Sequence, residues 1–113
     1  MPIIAEHQGD VLFLGLSGRL DSNQAAELET SFLETVAGAN KILLDFQGLE
    51  FISSAGLRVI LMTAKRTKQA GGHLALFGLN ANILKVFRVS GFLKILQVFD
   101  TREQALEFVN APE

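Results

Sequence analysis

Leu44-Asp45-Phe46-Gln47-Gly48-Leu49-Glu50-Phe51-Ile52-Ser53-Ser54-Ala55-Gly56-Leu57 is the stretch on which the reading of this chain turns. The run Lys41 to Phe46 (KILLDF) is short, apolar and bounded by turn signals, which suits a strand covered on both faces. Gln47-Gly48 is expected to turn the chain. Phe51-Ile52 then leads into Ser53-Ser54, and from Ala55 onward Leu57, Ile60, Leu61 and Ala64 recur on one helical face until Gly71-Gly72 stops the helix. Two serines therefore open a helix directly behind a buried strand.

A serine in that place has two physical uses. Its hydroxyl can accept a hydrogen bond from an early helix N–H, and as an N-cap it contributes about 1 kcal/mol. The same unpaired N–H groups and the positive end of the helix dipole also stabilise a phosphate, so the position suits a phosphoacceptor. The small Ala55 and Gly56 leave room for a partner surface or a kinase, or for close packing against a strand. A glycine there costs the helix about 1 kcal/mol relative to alanine. Arg58 and Met62 follow Ser54 at helical spacing, with Lys65 and Arg66 nearby; this face is either merely solvated or an adaptable contact surface.

Toward the N-terminus, Val11 to Leu16 reads as a strand after the turn-like Gly9-Asp10, with Ile3 to Ala5 able to pair with it as a hairpin. Asp21-Ser22 offers capping oxygens to a helix carrying Ala25, Leu28, Phe32, Leu33 and Val36, which ends near Gly38. Toward the C-terminus, His73 to Phe77 reads as a strand. Ile83, Leu84, Val86 and Phe87 suit a short amphipathic helix that starts near Asn80 or Asn82 and closes at Gly91. Ile95 to Phe99 is expected as a last short strand, and Asp100-Thr101 as the cap of a C-terminal helix through Ala105, Leu106 and Val109. The alternation of strand and helix implies a mixed, partly parallel α/β architecture, and 113 residues suit one domain spanning 1–113.

Composition narrows the function. A formal charge of −2 and a single local basic group, Lys65-Arg66-Thr67-Lys68, lead us to expect no nucleic-acid partner. The absence of cysteine excludes disulfides, thiolate metal sites and cysteine nucleophiles, and suits a reducing cytoplasm. His7 and His73 sit in no ligand motif, so no metal or cofactor is expected. No basic leader opens the sequence, and no apolar run approaches the roughly 20 residues a membrane span requires, so no membrane association is expected. Around Ser54 only half of a nucleophile elbow exists, because Ile52 stands where the first glycine is needed. Neither histidine is identifiable as a base, and the glycines match no phosphate loop or dinucleotide fingerprint. The chain is expected not to be an enzyme.

Four segments, in order, resemble the STAS-domain family and within it the small bacterial anti-sigma factor antagonists. They are Ser17-Gly18-Arg19-Leu20-Asp21; Leu43-Leu44-Asp45-Phe46 with Phe51-Ile52-Ser53-Ser54-Ala55-Gly56-Leu57; Gln69-Ala70-Gly71-Gly72; and Val86-Phe87-Arg88-Val89-Ser90-Gly91-Phe92. The resemblance implies a mixed central sheet of about four to five strands with about four helices. It implies that Ser54 is phosphorylated by an anti-sigma factor serine kinase, that the unmodified antagonist binds this kinase and frees a sigma factor for transcription, and that a serine phosphatase resets the phosphoprotein. By the same resemblance Asp21 lies near Ser54 and helps form the partner surface, and Asp21, Ser22, Ser53, Ala55, Gly56, Leu57, Arg58 and Met62 are expected to be the partner-binding residues. Ser53 stands where the family usually has aspartate and Ala55 where it has a second hydroxyl residue, which makes Ser53 a competing acceptor. The alternative is a constitutive scaffold, or a subunit associated with a transporter or lipid-transport complex, in which Ser54 is only a cap.

Overall fold

The computed structural model describes residues 3–111. Strands β1 (Ile3–Gln8) and β2 (Val11–Leu20) form an antiparallel hairpin in register Gln8↔Val11 to Ile3↔Leu16. Gly9, at φ +61°, makes the turn, and the neighbouring Asp10 is tied to Lys41 by a 2.8 Å ion pair. Helix α1 (Ser22–Val36) returns the chain to β3 (Lys41–Ile52), helix α2 (Ser54–Gln69) to β4 (His73–Phe77), and helix α3 (Ala81–Val89) with a 3-10 turn (Phe92–Lys94) to β5 (Gln97–Phe99). Helix α4 (Arg102–Asn110) follows. The sheet runs β1-β2-β3-β4-β5, antiparallel only at the hairpin and parallel elsewhere. The expected mixed α/β sheet with four helices is present.

Strand alternation divides the core in two. Leu12, Leu14, Leu16, Ile42, Leu44 and Phe46 face α1, α2 and α3, where they meet Leu28, Phe32, Ile60, Ile83 and Phe87. Val11, Phe13, Leu43, Ala75 and Phe77 face the other way and pack on Ala105 and Val109 of α4. Lys41 to Phe46 is thus covered on both sides, as its unbroken apolar character requires.

Four expectations need correction. Gln47-Gly48 is not a turn, because β3 continues to Ile52 alongside the extended end of β2. The register shifts between Gly15 and Ser17 and again between Gly18 and Arg19, leaving extra residues on β3 as bulges. Gly48 serves that close approach: a Cβ there would lie 3.1 Å from the Ser17 Cβ and 3.2 Å from the Leu16 carbonyl. The first strand runs beyond Ala5 to Gln8, since the hairpin register persists to the turn. The last strand is only Gln97–Phe99, because the 3-10 turn takes up the preceding segment and leaves Ile95 exposed. In α3, whose cap is Asn80 rather than Asn82, Val86 belongs to the solvent side and is 40% exposed, while Ile83 and Phe87 are buried.

Candidate functional site

β2 and β3 end side by side, with Leu20 paired to Ile52. The Ser53 N–H donates to the Leu20 carbonyl at 2.8 Å, so the next residues, Asp21 and Ser53, open α1 and α2 from adjacent strand ends. Each is a working cap. The Asp21 carboxylate accepts from the Asn23 N–H at 3.0 Å, and Gln24 Oε1 accepts from the Asp21 N–H at 3.2 Å, closing a capping box. Ser53 Oγ accepts from the Gly56 N–H at 3.1 Å.

The cap reading of Ser54 is therefore overturned: the capping hydroxyl is that of Ser53. Ser54 is the first residue of α2, exposed, and its hydroxyl forms no hydrogen bond among the described residues. Ser22 holds the equivalent exposed place on α1. Ala55 is half-buried against the main core. Arg58 is exposed and Met62 half-buried, continuing the Ser54 side of the helix one and two turns on.

Gly56 and Leu57, expected on the partner surface, lie inside the fold instead. Leu57 is only 4% exposed. A Cβ on Gly56 would fall 2.6 Å from Leu20 Cγ and 3.2 Å from Ile52 Cγ1, so this glycine lets the first turn of α2 press against the ends of β2 and β3. Of the two uses foreseen for Gly56, close packing is the one realised.

A neighbouring feature escaped sequence reasoning. Arg19 and Phe51 are register partners, with the guanidinium 4.3 Å from the ring centroid. Together with Glu50 and Ile52 they form one wall of a cleft of about 370 Å³ whose other wall is Asn82, Ile83 and Val86 of α3. The cleft depends on β3 running past Gly48 and on Val86 facing outward, neither of which the residue pattern indicates.

The remaining titratable groups are dispersed. Among the described residues no three His, Asp or Glu side chains gather as a metal site, and no helix is long and apolar enough to cross a membrane. His7 is exposed on β1, and His73 rests edge-on against Phe108 at 6.0 Å. Asp10 has its pKa held below the ordinary 3.8 by its hydrogen bond and charge pairing with Lys41.

The chain that forms this sheet matches the STAS domain family over residues 2–105 and belongs to that family. It is 41% identical over 96 residues to BtrV of Bordetella bronchiseptica, covering 84% of this chain and 83% of that protein. It is 32% identical over 108 residues to the anti-sigma F factor antagonist of Paenibacillus polymyxa, covering 94% and 92%. The crystal structure of TM1081 from Thermotoga maritima superposes with a TM-score of 0.91 at 26% identity, covering 96% of this chain and 95% of that one.

Proposed function

We propose that this chain is an anti-sigma factor antagonist that acts by binding rather than catalysis, with Ser54 as its phosphoacceptor. Unmodified, it binds an anti-sigma factor that is itself a serine kinase and so frees a sigma factor in the cytoplasm. The kinase transfers the γ-phosphoryl group of ATP to Ser54 Oγ; ADP leaves, the hydroxyl proton is released, and the complex separates. A serine phosphatase restores the hydroxyl by hydrolysis. The observation that carries this reading is the division of labour between the two serines: Ser53 is engaged as the cap, and Ser54 stands exposed and unengaged next to it. Asp21, Ser22, Ser53, Ala55, Arg58 and Met62 surround it as the partner surface, with Gly56 and Leu57 supporting them from below. The name carried by the Paenibacillus relative supports the antagonist role.

Phosphorylation would add about −1.5 to −2 charges at a surface fitted to a neutral hydroxyl. The test is intact-mass and fragment mass spectrometry after incubation with ATP and the serine kinases of the same genome, using wild type, Ser54→Ala and Ser53→Ala. One phosphate, present in wild type and Ser53→Ala and absent from Ser54→Ala, is expected. Acceptance at Ser53, or no phosphorylation by any of these kinases while partner binding persists, would replace the switch with a constitutive binding module.

A further inference from the structure

The small net charge conceals a separation of charge in the fold. Between Phe51 and Phe99 the chain has no aspartate or glutamate. Helix α2 carries Arg58, Lys65, Arg66 and Lys68, and α3 carries Lys85 and Arg88; all are exposed, and none is ion-paired among the described residues. Helix α1, packed against α2, carries Glu27, Glu29 and Glu34, all exposed, and no cation. Arg66, Lys68 and Arg88 sit in the last turns of their helices, where a cation favours the helix dipole; Arg58, Lys65 and Lys85 lie outside those turns, and folding gives them no such role.

Apolar surface lies beside it. Phe51 is 38%, Val86 40% and Val89 79% exposed, and the Arg19–Phe51–Val86 cleft, with Glu50 as the one carboxylate in its lining, opens at the same end of the sheet as Ser54. Resting on the antagonist reading, we propose that the α2–α3 face docks an acidic protein surface whose apolar anchor fills the Phe51–Val86 cleft. Arg58 links this docking to Ser54. It lies four residues along the same helix, so a phosphate on Ser54 has a cation within reach and draws it away from the partner's carboxylates, which the phosphate also repels. A phosphate adds charge repulsion to its desolvation cost when the partner is acidic, whereas a basic partner would offset that cost by pairing with it.

The same cations would attract nucleic acid, but two features favour a protein. A duplex carries one charge per roughly 1.7 Å of axis, and laid across α2 it would meet the glutamates of α1. Nor does its backbone offer an apolar group for the cleft.

A photo-crosslinking residue is installed at Lys65, at Val86 and, on α1, at Glu29, in the full chain expressed in its own host, and the crosslinked peptides are sequenced. Adducts are expected at Lys65 and Val86, to a protein segment of net negative charge. The captured protein is then purified and titrated with wild type and with the Lys65→Glu/Arg66→Glu/Lys68→Glu variant, whose fold is checked by circular dichroism. Affinity is expected to fall about tenfold or more in the variant at low salt, and wild-type affinity to weaken as salt rises. No adduct at Lys65 or Val86, adducts concentrated at Glu29, capture of nucleic acid or of a basic segment, or undiminished affinity of the variant would each overturn the docking surface. An acidic partner that is not a serine kinase would uphold it while overturning the antagonist switch. A kinase bound equally well by the charge-reversed variant would do the reverse.

Discussion

The Ser53 N–H donates to the Leu20 carbonyl at 2.8 Å, joining the ends of two parallel strands at the point where each gives way to a helix. Asp21 and Ser53 consequently cap neighbouring helices, and the residues that follow them, Ser22 and Ser54, are presented together at one end of the sheet. The site is a product of strand register: two helices capped one residue beyond a paired Leu20 and Ile52 have their first turns side by side.

Removing the Ser53 cap separates structure from signalling. Ser53→Ala is expected to cost about 1 kcal/mol, because the Gly56 N–H loses its acceptor, and Ser53→Asp to retain most of that stability. Ser54→Ala is expected to stay within about 0.5 kcal/mol of wild type, as for an exposed side chain without partners. Urea denaturation of the three variants checks this ordering; equal losses for Ser53→Ala and Ser54→Ala would contradict it.

Alanine at position 56 should destabilise the protein although it improves helix propensity. The gain of about 1 kcal/mol from propensity is opposed by overpacking of about 1–3 kcal/mol, because the new methyl would meet Leu20 Cγ at 2.6 Å and Leu20 is fully buried. A lowered urea midpoint for Gly56→Ala is expected. A raised one would mean that α2 can withdraw from the strand ends without cost.

Phe87 anchors α3 to β3, its ring edge-on to Phe46 with centroids 6.1 Å apart, and both rings are fully buried. Phe87→Ala is expected to cost about 3–5 kcal/mol. A double-mutant cycle with Phe46→Leu should reveal about 0.5–1.5 kcal/mol of coupling beyond burial. Additive losses would show that the ring geometry contributes nothing of its own.

Asp10 predicts a pH dependence of definite sign. Its folded pKa lies below the ordinary 3.8 because Lys41 favours the charged carboxylate, so the pair adds stability above the unfolded pKa and loses it as pH falls through the folded value. The stability difference between wild type and Asp10→Asn should therefore be present at neutral pH and vanish in acid below 3.8. Asp10 is exposed and Lys41 only half-buried, so the difference is small and shrinks with added salt. An Asp10→Asn difference that grows in acid would contradict the assignment.

Much of the fold was legible from residue patterns because local physics dominates there. The unbroken run Ile42-Leu43-Leu44 marked a strand buried on both faces, Asp21 and Thr101 marked helix starts, and Gly38, Gly71 and Gly91, all at positive φ, marked stops. Gly48 misled, because a glycine allowing two backbones to approach reads in sequence like a glycine allowing one to turn. Val86 misled because a nine-residue helix fits two apolar faces almost equally well, and only the position of β3 decides which is covered.

The sequence alone determined that two hydroxyls would stand at the start of α2, since the helical period begins immediately after them and no other residues there can cap. Which serine caps and which is left exposed was decided only in three dimensions, by the hydrogen bond that locks Ser53 to Leu20 and turns its side chain toward Gly56. The separation of charge follows the same division. The acid-free stretch from Phe51 to Phe99 is a property of the chain, but it becomes a surface because the sheet sets α2 and α3 on one face with their cations outward and buries what lies between.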